Sequence, residues 1–76
     1  MTEVTGSIEV GRHWFRPVRE ILRLEEFQGG IRFMEGEGFW ERTFRFRGTP
    51  ERVGQVGARL THFLKSNGAV TDAQVI

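Results

Sequence analysis

Cysteine is absent from this 76-residue chain, which excludes disulfide staples and thiolate metal sites. Histidine is scarce: His13 and His62 are the only two, too few to close a zinc site by themselves. No apolar run in Met1–Phe15 is long enough for a signal peptide, and no segment approaches the length of a membrane span. The expectation is a soluble, cytoplasmic protein with no membrane partner. Charge of one sign is also missing. Eleven basic residues face ten acidic ones, which argues against coating nucleic acid through bulk charge.

These absences matter because the chain is small. The expectation is a single compact domain over residues 1–76, with residues 1–6 frayed. A domain of this size buries only roughly 60 % of the surface its unfolded chain exposes. Small domains are usually helped by disulfides, a metal or oligomerisation. With the first two excluded, self-association is the device that remains.

The chain is rich in arginine. Ten of the eleven basic residues are arginine, Lys65 being the exception, and nine of the ten acids are glutamate. A GC-rich genome or a warm-living host accounts for that bias, while arginine is also favoured for bidentate and stacking contacts.

Hydrophobic periodicity divides the chain into elements. Ile8 and Val10 alternate with Glu9 and Gly11 in a first strand, and Val4 shares the parity of Ile8 and Val10 as the alternative, earlier start. Pro17–Gln28 reads as a helix with Val18, Ile21 and Leu22 on one side and Gly29-Gly30 as the stop, although Leu24 and Phe27 drift off the stripe. Glu25 and Glu26 stand at its C-terminal end, against the helix dipole. Ile31 and Phe33 alternate with Arg32 and Met34 in a second strand, and Glu35-Gly36-Glu37-Gly38 forms a turn. A third strand covers Phe39–Arg47, with Trp40, Phe44 and Phe46 on the buried parity and Arg42 as the exception.

The last helix is the clearest. Thr49 is placed to cap it and Pro50 suits its first position. Val53, Val56, Leu60, Phe63 and Leu64 follow at helical spacing, and Asn67-Gly68 is the stop. Gly57 lies on the apolar side, which predicts close approach of helix and sheet there. Ala69–Ile76 makes a short final edge strand anchored by Val70 and Val75-Ile76.

Strand, helix, strand, strand, helix, strand is the order of a ferredoxin-like βαββαβ fold, an α+β domain whose antiparallel sheet carries helices on one face. The alternative is a β-meander with one C-terminal helix. The core expected is Ile8, Val10, Ile21, Leu22, Ile31, Phe33, Phe44, Phe46, Val56, Leu60 and Leu64. Glu37–Phe44 resembles, in outline, the aromatic third-strand motif of RNA-recognition modules. It departs from that motif where Trp40 and Glu41 replace a small residue and an aromatic, so no binding residues carry over.

Chemistry-bearing motifs are few. Gly36 and Gly38 lack the lysine and the serine or threonine of a phosphate-binding loop. His62 falls on the polar side of its helix, and His13 has no acid partner nearby in sequence. Glu25-Glu26 and Glu35-Glu37 read as surface and turn charge. No enzyme activity, cofactor or metal is expected. The candidate partner-binding set is Arg32, Phe39, Arg45 and Arg47 on the sheet face away from the helices. A second candidate surface is Arg12, Trp14, Arg16 and Arg19, where Trp14 or Phe15 could instead close the end of the core while the arginines reach solvent. The function these features favour is a small non-catalytic protein-interaction module, of adaptor or inhibitor type. It would self-associate, with Arg45 and Arg47 reading carboxylates. The alternative is single-stranded RNA or DNA binding on the same face.

Overall fold

The computed structural model describes residues 2–69 and 72–75. Strand β1 (Val4–Gly11) leads through one 3-10 turn (Arg12–Trp14) into helix α1 (Phe15–Phe27). Strands β2 (Ile31–Glu35) and β3 (Glu41–Gly48), helix α2 (Pro50–Ser66) and strand β4 (Asp72–Val75) follow. The sheet order is β2-β3-β1-β4, with every neighbouring pair antiparallel. Both helices pack on one face, so the ferredoxin-like arrangement is the one adopted and the meander is not. Among the described residues no helix is long and apolar enough to cross a membrane.

Local chemistry explains most boundaries. The Thr49 hydroxyl accepts the Arg52 backbone N–H at 3.3 Å, and Pro50 opens α2, where its missing N–H costs nothing. Gly68, at φ 77°, and Gly29, at φ 84°, turn the chain out of the two helices in a conformation that side chains disfavour. Helix α1 begins at Phe15, so Pro17 stands within its first turn, where backbone N–H groups have no partner in the helix anyway.

Four expectations change. Val4 to Gly6, expected to fray, pair with Gly48, Arg47 and Phe46 of β3. Strand β3 starts at Glu41, leaving Phe39 and Trp40 in the preceding loop; Trp40 is 72 % exposed. Ile21 and Phe33 pack against the core but stay partly exposed, while Phe15, Val18 and Val53 join its buried centre. A Cβ on Gly57 would lie 3.8 Å from Phe46, an ordinary contact, so close approach does not explain that glycine. The close approach is at Gly6, where a Cβ would meet Phe46 at 2.6 Å and Val53 at 2.9 Å. Of the anchors expected for the final strand, Val70 and Ile76 lie outside the described residues.

Candidate interaction surface

The strand register decides which side chains meet on the sheet's open face. Arg32 of β2 stands opposite Arg47 of β3, which stands opposite Thr5 of β1. In the next row Met34, Arg45 and Ser7 are neighbours. Arg32, Met34, Arg45 and Arg47 are all exposed, Met34 by 73 %. They line one concavity of about 480 Å3 with Thr5 and Glu26.

Like charges directly opposite across a sheet destabilise it, and Arg32 against Arg47 is such a pair. Glu3 relieves it, at 3.1 Å from Arg47 and 3.6 Å from Arg32. Glu3 shares the parity of Thr5 and Ser7, so extending the strand pattern two residues backwards would have found it. Arg45 makes no ion pair among the described residues. The face therefore presents one unpaired cation beside a thioether, next to two cations sharing one carboxylate.

Phe39 does not belong to this set. It lies in the β2–β3 loop, its ring edge-on to Trp40 at 4.8 Å and capped by the Arg12 guanidinium at 4.1 Å. Phe39 thus joins the second candidate surface, which is itself split. Trp14 packs edge-on against Phe63 at 6.0 Å, and Phe15 is buried against Phe44, so both close the end of the core. Arg16 is exposed on α1. Arg19 is withdrawn into an ion network.

That network overturns the reading of Glu35 as turn charge. Glu35 ends β2 on the helix side of the sheet and takes a bidentate contact from Arg19, at 2.5 and 2.8 Å. Arg42 adds a third contact at 2.5 Å, donates to the Gly38 carbonyl, and lies 4.4 Å over the Phe15 ring. The pKa of the Glu35 carboxyl is lowered from 4.5 to about 2, chiefly by the Arg19 hydrogen bond. Burial opposes the shift, while the Arg42 hydrogen bond and both positive charges reinforce it. Arg42 was the one polar residue on the buried parity of β3, and Glu35 continues the parity of Ile31 and Phe33; together these were the available signal.

Glu25 is likewise no surface charge. It is 3 % exposed and holds Arg52, at 3.0 Å, and Arg59 of α2. Its neighbour Glu26 accepts the Phe33 backbone N–H on the outer edge of β2 at 3.2 Å.

No protein-family model matches the chain, and no curated protein matches it. Solved structures do share its fold. A candidate PII-like signalling protein from Thermus thermophilus superposes with a TM-score of 0.69 at 11 % identity, over 99 % of this chain and 86 % of that one. CPII, a nitrogen regulatory PII-like protein from Thiomonas intermedia, gives 0.60 in its apo form at 12 % identity, covering 99 % of this chain and 90 % of that one. The same protein bound to ADP, AMP and bicarbonate gives 0.59 at 13 % identity, over 99 % and 91 % of the two chains. Identities this low establish a shared fold and no more.

Proposed function

We propose that this protein is a small non-catalytic interaction module of regulatory type that associates with itself through the open sheet face. The observation that carries the reading is Arg45, an exposed arginine without an ion pair among the described residues, flanked by the exposed Met34 and by the Arg32–Arg47 pair. Arginine beside an exposed apolar side chain suits docking, in which the thioether is buried while the guanidinium finds a carboxylate. Arg45 and Arg47 are the groups that read carboxylates on the partner, with Glu3 as the internal stand-in that a partner's acid replaces. The signalling and regulatory names of the proteins sharing the fold agree with this reading. Single-stranded nucleic acid ranks second, because Glu3 already neutralises part of the arginine set and would repel a phosphate chain.

Light scattering from micromolar to millimolar concentration tests the proposal. The apparent mass should rise with concentration and fall back in the Arg45→Ala, Arg47→Ala double variant. A strict monomer throughout removes self-association. An electrophoretic shift with random single-stranded RNA and DNA separates the rival. Binding through phosphates weakens steeply with salt and is lost in the double variant, whereas docking on an apolar anchor is far less salt-sensitive.

A further inference from the structure

Helix α1 carries a stripe that the fold leaves uncovered. Its inner side, Phe15, Val18, Leu22 and Glu25, is buried. On the outer side Arg16, Glu20, Arg23 and Phe27 follow one another at helical spacing, with Leu24 alongside. All five are exposed, Leu24 by 63 % and Phe27 by 89 %. Surface helices normally keep their outer side polar, so a leucine and a phenylalanine one turn apart break the pattern.

The order of chemistry along the stripe is cation, anion, cation, aromatic ring. That order is self-complementary when reversed. A second α1 laid antiparallel, about a two-fold axis midway between Glu20 and Arg23, sets Glu20 of each copy against Arg23 of the other. The same axis sets Phe27 of each copy against Arg16 of the other, a cation over a ring. A two-fold axis makes each pairing occur twice, and no like charges are opposed. Within one helix Glu20 and Arg23 already lie 3.6 Å apart, both more than half exposed, so their charges are free to be shared with a neighbour.

The geometry points to a second copy of this chain, docked antiparallel on the outer stripe of α1, as the occupant of that surface. Five side chains per copy are far fewer than the roughly 20–30 residues a side of a standard stable interface. The contact is therefore weak, acting at high concentration or between units already joined. It lies on the helical layer, opposite the open sheet face, and stands whether or not that face self-associates.

Sedimentation equilibrium of the full chain carrying Arg45→Ala and Arg47→Ala isolates the contact from the sheet face. A monomer–dimer step is expected. Glu20→Arg or Arg23→Glu alone should weaken it by roughly tenfold, and the two together should restore it, as close opposite charges across an interface require. Phe27→Ser should weaken it without rescue. Because the chain has no cysteine, oxidising a mixture of the Arg16→Cys and Phe27→Cys proteins reads the register directly, and the mixed disulfide should dominate. A monomer at every concentration, an unchanged constant in Phe27→Ser, failure of the charge swap to recover dimerisation, or homodisulfides in preference to the mixed one overturns the inference.

Discussion

Single glycines and single carboxylates carry consequences that their positions in sequence do not announce. Gly57 lies within α2 with room for a methyl group 3.8 Å from Phe46. Gly57→Ala should therefore raise stability by about 0.5–1 kcal/mol, through helix propensity and a less free unfolded chain. Gly6→Ala should lower it by about 1–3 kcal/mol, because its methyl would press on Phe46 and Val53. Urea titration of the two variants gives opposite shifts of midpoint if this assignment holds. Glu35 contributes to the acid limb of stability. The pKa of its carboxyl is lowered to about 2 in the folded protein, so the unfolded state binds the proton first as pH falls. The stabilisation is fully present above the ordinary value of 4.5 and is lost as pH drops towards 2. Glu35→Gln should cost about 1–3 kcal/mol at neutral pH, and the gap from the parent should close between those limits. A gap that persists at pH 2 would mean the carboxylate charge is not what the two arginines stabilise.

At the scale of elements the two helices differ in what holds them. Helix α2 is locally specified, with the Thr49 cap, Pro50, Glu51 in its first turn and Lys65 in its last. Helix α1 has no side-chain cap and no acid in its first turn, and it carries Glu25 and Glu26 in its last. Its charges oppose the helix dipole. The compensation is tertiary: Glu25 is held by two arginines of α2, and Glu26 by a backbone N–H of β2. Peptides spanning each helix should accordingly differ, the Thr49–Gly68 peptide being the more helical by circular dichroism. Glu25→Ala should destabilise the whole domain by about 1–3 kcal/mol, since both arginines are partly exposed and can turn to water. A larger helix content in the α1 peptide than in the α2 peptide would contradict the account.

For the whole molecule the margin is small. A 76-residue chain has a total stability of about 4–11 kcal/mol, and Leu60, fully buried in the core, accounts for about 2–5 of it on truncation to alanine. Leu60→Ala should therefore lose a large share of the stability and melt well below the parent. If self-association supplies the missing support, the melting temperature of both parent and variant should climb with protein concentration; a concentration-independent melt would place all stability within one chain. The sequence was enough to outline the strands and α2, because strand alternation, helical spacing and the Thr49-Pro50 cap act between near neighbours, but it left Pro17–Gln28 open between helix and meander and set the start of β3 two residues early. It also placed Arg32, Arg45 and Arg47 on one sheet face, since parity alone decides which side of a strand a residue takes. The partnerships between elements, by contrast, came from the fold as a whole. Phe39 went to Arg12, Glu35 to Arg19 and Arg42, and Glu25 to Arg52 and Arg59. The close approach fell at Gly6 and not at Gly57. Each depends on strand register and on where two helices cross the sheet. Those are set by packing the whole core at once, and no local period encodes them.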